Sequence, residues 1–145
     1  MAKFQIQRAV PAQGAALCVL LDAAYQPYRD RGVALPDVTD GLDAEIAAGR
    51  VWIAASAHGA LGLLNLSLDH PAAHLINVAV SPGAKGQGVG GALIRHALAL
   101  ATSAGCGSLD LATHHDLSEN VALYQHLGWS ITGREGARVL MSRAL

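Results

Sequence analysis

Apolar and polar positions alternate at the start of the chain. Phe4, Ile6 and Arg8 fall on one side and Lys3, Gln5 and Gln7 on the other, the two-residue period of an opening strand that Pro11 ends. The period then lengthens. Ala16, Val19, Leu20 and Ala23 recur at helical spacing over residues 12–25, and Pro27, which lacks the N–H a helix needs, stops the pattern and leaves 28–37 a loop. Thr39 or Asp40 caps a short helix through Ala48, with Leu42, Ile46 and Ala47 on one face and Gly49 at its end.

Residues 51–57 are rich in β-formers, His58 and Gly59 mark a turn, and 61–69 continue, which predicts an antiparallel hairpin closed off by Pro71. Residues 74–80 carry a near-continuous apolar run of Leu75, Ile76, Val78, Ala79 and Val80. Such a run predicts a central strand covered on both faces. A glycine cluster at Gly86, Gly88, Gly90 and Gly91 precedes a helix through Ala104 that buries Leu93, Ile94, Ala97, Leu100 and Ala101, with Gly105 and Gly107 ending it. Residues 109–113 form a further strand. Asp116 or Ser118 caps a helix ending at Gly128, Glu119 completing a capping box, and 129–132 with 139–143 close as a hairpin. This succession predicts an α+β, or mixed α/β, fold in a single domain spanning 1–145.

Composition narrows the class. At 145 residues, 52% hydrophobic and 14% charged, the chain can bury one substantial core, and disorder is not expected. No apolar run reaches the roughly 18 residues that span a bilayer, and the opening stretch alternates where a secretion signal would be continuously apolar; a cytoplasmic protein is expected. A net charge of -1 argues against nucleic acid, which requires clustered cations, and leaves a small-molecule or peptide partner. Cys18 and Cys106 lack metal-ligand spacing and read as small hydrophobes. Of the seven histidines only His114 and His115 are adjacent, and neighbours on a strand point to opposite faces, so no metal is expected.

The glycine cluster carries the chemistry. Between a buried strand and an amphipathic helix, Gly86-Gln87-Gly88-Val89-Gly90-Gly91 lets backbone N–H groups surround an anion, the helix dipole contributes about half a positive charge, and Lys85 adds a full one. Gly86, Gly88 and Gly91 also match the dinucleotide fingerprint. The context differs: Ser81 to Lys85 intervene between strand and glycines, the strand is about the fourth of the chain, and Asp110 lies inside its strand where an acid at the strand's end is needed.

Val80 and Pro82 followed by Lys85-Gly86-Gln87-Gly88-Val89-Gly90 and Leu93 resemble the signature of the GNAT superfamily of N-acetyltransferases. Lys85 stands where Arg or Gln is usual. Asn120, Ala122, Tyr124, Gly128 and Trp129 resemble the family's second motif with its spacing shortened. The resemblance implies a central, mostly antiparallel and partly splayed sheet of six to seven strands flanked by about four helices. It also implies acetyl-CoA as cosubstrate. The pyrophosphate would lie on the amides of Gly86, Gln87, Gly88, Val89, Gly90 and Gly91 beside the charge of Lys85, with the pantetheine arm along Val78, Ala79 and Val80 and held by Asn120. Tyr124 would be the acid that protonates the departing thiolate.

For the base, His74 begins the cofactor strand where some family members carry a glutamate, and imidazole titrates in the useful range. Tyr25, Tyr28, Arg29 and Arg31 form the expected substrate loop, whose arginines could hold a carboxylate of the acceptor. Three alternatives share this pattern: a CoA-sensing module without catalysis, a protein-lysine acetyltransferase drawing on Asp37, Asp40, Asp43 and Glu45, and an interaction domain. An open sheet end also leaves homodimerisation available.

Overall fold

The computed structural model describes residues 3–145; Met1 and Ala2, at the head of the alternating stretch, lie outside the described residues. Strands β1 (Gln5–Arg8), β2 (Val51–Ser56), β3 (Gly59–Ser67), β4 (Ala72–Val80), β5 (Ser108–His114), β6 (Ser130–Glu135) and β7 (Arg138–Ala144) form one sheet in the order β1-β2-β3-β4-β5-β7-β6. The helices are α1 (Gly14–Asp30), α2 (Leu42–Ala47), α3 (Val89–Ser103) and α4 (Ser118–His126). The expected mixed architecture is present: β4 and β5 pair in parallel, the usual outcome when a helix crosses between two strands, while β1/β2, β2/β3, β5/β7 and β6/β7 are antiparallel. The chain forms two compact units, one reaching Asn65 and resuming over Asn77–His96, the other made of Leu66–Ile76 and Ala97–Leu145.

In the first unit, Leu17, Leu20, Leu21 and Ala24 of α1 pack with Leu42 and Ile46 of α2 and with Val51, Ile53 and Leu63 of the sheet. Two expectations for α1 fail here. The buried face is not the one through Ala16 and Val19, which are exposed, Val19 at 70%; the leucines, one position away, bury more apolar area and win the core. Nor does Pro27 end the helix. It sits exposed within the last turn, where it forgoes one intrahelical bond, and the end is closed by the Arg31 N–H donating to the carbonyls of Pro27 and Tyr28 and by Val33 N–H donating to Tyr28. The cap expected at Thr39 or Asp40 is also absent: Gly41, at φ +77°, precedes α2, and the Thr39 hydroxyl donates instead to Asp37 at 2.8 Å. Ala47, expected on the buried face, is exposed.

In the second unit the sheet buries a single face. Ala73 and Leu75 of β4, Leu109 and Leu111 of β5, and Val139 and Met141 of β7 are buried, and the Trp129 indole N–H donates to the Leu109 carbonyl at 2.8 Å. Their alternates, His74, Ile76, Asp110, Ala112, Leu140 and Ser142, face the other way. Full coverage of β4 was the wrong inference from its apolar run: Ile76 is 50% exposed. The residue before α4 is Leu117, which offers no side-chain cap, and Asp116 is engaged by His115 at 2.8 Å.

Two residues make the first unit testable. Gly62 is buried on β3, and a Cβ there would lie 2.9 Å from the Ala79 carbonyl oxygen, 2.9 Å from Val89 Cγ1 and 3.1 Å from Leu93 Cδ1. Gly62→Ala should therefore destabilise the protein by about 1–3 kcal/mol, read as a lower midpoint in urea unfolding. His96, edge-on to Trp52 with Nε2 buried and meeting no hydrogen-bond partner among the described residues, has its pKa lowered by burial. Below about pH 6.5 the unfolded chain takes up this proton before the folded one does. Stability should thus be full above that pH and fall on acidification until folded His96 protonates too; His96→Gln should flatten this part of the profile in pH-dependent denaturation.

Candidate functional site

The glycine cluster occupies the turn between β4 and α3. Pro82–Ala84 form a short 3₁₀ turn, Lys85 is extended and exposed, and Gly86 and Gly88 adopt φ of +81° and +80°, a backbone state open to glycine with little strain. A Cβ at either glycine would meet nothing within 4 Å, so the concave side of the turn has room for a group larger than a side chain. The first α-helical bond in this region runs from the Ala92 N–H to the Gly88 carbonyl, and the amides of the first turn before it have no intrahelical acceptor by helix geometry. These open amides, the dipole of a helix from Val89 to Ser103 and the charge of Lys85 all favour an anion.

Arg95 adds a second cation that the sequence reading missed. Its Nη1 lies 3.2 Å from where a Cβ of Gly91 would stand, so the guanidinium folds back toward the start of α3. The signal was available, since residues four apart share a helix face. Gln87 contributes no attraction for an anion through its Oε1, which is buried and without a hydrogen-bond partner among the described residues. Val78 and Val80 are half-buried and Ala79 is buried on β4. The β4/β5 register ends at Leu75↔Leu111 although both strands run on.

Asn120 and Tyr124 lie one turn apart on α4, both half-buried, and the Tyr124 ring meets the buried Trp129 edge-on at 5.5 Å. His74 is exposed on β4 and is the register partner of Asp110 on β5, so the two side chains share the open face of the second unit. The expected substrate loop is instead helix. Tyr25, Tyr28 and Arg29 belong to α1, and Arg31 follows its last residue. The Tyr25 hydroxyl donates to Asn77 Oδ1 at 2.6 Å, Arg31 stacks over the Tyr28 ring at 5.4 Å, and Arg29 pairs with Asp22 at 3.1 Å. Arg29 is thereby engaged within its own helix.

The histidine pair also differs from expectation. β5 ends at His114, so strand alternation no longer applies to His115, and the two rings lie 4.7 Å apart. Both cysteines are free, and burial followed by the charge of Asp43 pushes the Cys18 thiol up, away from the reactive thiolate. Among the described residues, no helix is long and apolar enough to cross a membrane.

The model of the Acetyltransferase (GNAT) family matches residues 18–129. A curated relative, streptothricin acetyltransferase of Streptomyces lavendulae, is 29% identical over 104 residues, covering 70% of this chain and 55% of the relative; the chain thus spans about half that protein's length. Among solved structures, the PaiA N-acetyltransferase of Thermoplasma acidophilum in complex with coenzyme A superposes with a TM-score of 0.87 at 14% identity, over 99% of each chain. A GNAT-family acetyltransferase from Listeria monocytogenes 4b F2365 gives 0.82 at 15% identity, covering 100% of this chain and 98% of that one.

The positive φ of Gly88 is the feature to probe. Gly88→Ala places a side chain in the left-handed region at a cost of about 1–2 kcal/mol. It should both lower the unfolding midpoint and weaken binding of inorganic pyrophosphate in calorimetry, whereas Gly83→Ala, at a position with ordinary φ and open space, should change neither.

Proposed function

Because the chain belongs to the GNAT acetyltransferase family, we propose that it transfers the acetyl group of acetyl-CoA to a primary amine by direct attack within a ternary complex. The observation that carries this reading is the turn of Gly86 and Gly88 ahead of α3, with its left-handed glycines, open amides and flanking Lys85. A pyrophosphate fits there: it needs donors and positive potential without steric competition, and glycine is the residue that leaves room for both. Lys85, Gly86, Gln87, Gly88, Val89, Gly90 and Gly91 would hold the pyrophosphate chiefly through their amides, Arg95 would supply further charge, and Val78, Ala79, Val80 and Asn120 would hold the pantetheine arm. Acetyl-CoA supplies an activated acyl group on a thiolate leaving group.

Three duties remain for the protein. The amine must arrive neutral, and His74 is the residue proposed to take its proton. The carbonyl oxygen gains charge as the amine attacks, and a backbone N–H of Val78 or Ala79 would donate to it. The thiolate needs a proton on leaving, and the phenolic hydroxyl of Tyr124 is the proposed donor. Its edge-on contact with Trp129 holds the ring.

Calorimetry and kinetics check these roles separately. Acetyl-CoA should bind the wild type, and Gly88→Glu, which puts a carboxylate into the turn, should abolish that binding. Tyr124→Phe should keep acetyl-CoA affinity and lower kcat by about 100-fold. A kcat unchanged by Tyr124→Phe would remove Tyr124 from the mechanism, and no binding by the wild type would sink the acetyltransferase reading itself.

A further inference from the structure

The proposed chemistry leaves the acceptor undefined, and the open face of the second unit carries a cavity that bears on it. The cavity measures about 520 Å³, within the range of small-molecule sites. It opens where the β4/β5 register ends, with Leu75 and Ile76 on one strand and Leu111 and Ala112 on the other. Its far wall is Thr132, which the register shift between Ile131 and Gly133 on β6 leaves without a partner on β7. A bulge of this kind re-aims a side chain.

The charges in this cavity are unequal in standing. Glu135 and Arg138 sit at the rim, their side chains 65% and 63% exposed, and pair with each other at 3.6 Å. Asp110 lies on the floor, half-buried, and has no cationic partner among the described residues. It accepts a hydrogen bond from Ser142 Oγ at 2.5 Å, which fixes the carboxylate but leaves its charge uncompensated. Arg138 is the one cation of the lining and is already answered by Glu135, so the cavity as a whole prefers a single positive charge. A carboxylate on the ligand would face Asp110 with nothing to balance it. Around Asp110 the walls are apolar: half-exposed Ile76 and, across β5, Leu140.

We propose that this cavity receives the acceptor and selects an amphiphilic primary monoamine, whose ammonium binds at Asp110 and whose apolar body lies along Ile76 and Leu140. The assignment rests on the acetyltransferase reading and deepens it. His74, the register partner of Asp110, stands beside the bound ammonium and takes one N–H proton, leaving the nitrogen lone pair free to attack. Specificity for the acceptor then belongs to the strands of the second unit and not to Arg29 and Arg31.

The test uses the full chain with n-hexylamine, spermidine and glycine as acceptors, following thiol release, together with calorimetry of hexylammonium and, separately, of acetyl-CoA. Hexylamine should give the highest kcat/KM of the three. Asp110→Asn, which keeps an oxygen to accept from Ser142, should raise KM for hexylamine about tenfold or more and weaken hexylammonium binding in parallel, with acetyl-CoA affinity unchanged. Ile76→Lys, at a position exposed enough to accept the substitution, should do the same by repulsion. A preference for glycine or spermidine, or hexylamine KM and hexylammonium affinity unmoved by both variants, would overturn the proposal. Failure of acetyl-CoA to bind would instead remove the acetyltransferase reading, and the hexylammonium titrations would still decide whether the cavity is an amine site.

Discussion

The missing side chain of Gly62 is the constraint on which the glycine turn depends. With only a hydrogen there, the first turn of α3 seats Val89 and Leu93 directly against β3, beside the Ala79 carbonyl of β4. The chain leaves β4 at Val80 and enters the helix at Val89. The connection passes through the left-handed conformation twice, at Gly86 and Gly88. Glycines in that conformation allow successive N–H groups to turn toward one side. The anion-favouring character of this turn thus follows from the glycines within it, set against the close packing behind it.

A different economy of space shapes the second unit. Leu109, Leu111, Val139 and Met141 all point into the face closed by Trp129, and the indole N–H ties that closure to the backbone of β5. Alternation then obliges Asp110, Ala112, Leu140 and Ser142 to stand on the opposite face. Burying one side fully is what presents the other as a floor for a ligand, and the bulge at Thr132 gives that floor a wall. The Asp110–Ser142 hydrogen bond shows the same logic at the level of atoms: cross-strand partners on one face are close enough to orient each other.

Local sequence signals reveal much of this and stop at identifiable points. Strand periodicity, the turn at His58 and Gly59, and the glycine terminators were legible because each is settled by neighbours in the chain. The second-unit face of β4 was not. A run such as Leu75-Ile76-Asn77-Val78-Ala79-Val80 says that apolar residues are dense, and only tertiary packing decides that Ile76 stays half in water. Pro27 misled for a related reason: the helix runs on through it to Asp30, and the Tyr25–Asn77 hydrogen bond and the Tyr25–Tyr28 contact on that stretch are tertiary and side-chain facts that a proline signal does not carry. Asp110 was visible only as an acid inside a strand. Its standing comes from Ser142, distant in sequence, and from the lack of a cationic partner among the described residues, neither of which a pattern can carry.

The proposed donor and acceptor sites are written in different materials. The turn at Gly86 to Gly91 would grip its ligand with peptide groups, which every sequence possesses, so substitutions at exposed Lys85 or Arg95 can tune that grip without erasing it. The acceptor cavity is composed of side chains on one sheet face, each replaceable without touching the backbone that supports it. A lineage built on this chain can hold its acetyl source constant through long drift while exchanging one acceptor for another by a few changes at Ile76, Asp110 and Leu140. Bystander chemistry on neighbouring amines is then the expected starting point for such change, since a floor with one charge and greasy walls distinguishes amines by class before it distinguishes them by identity.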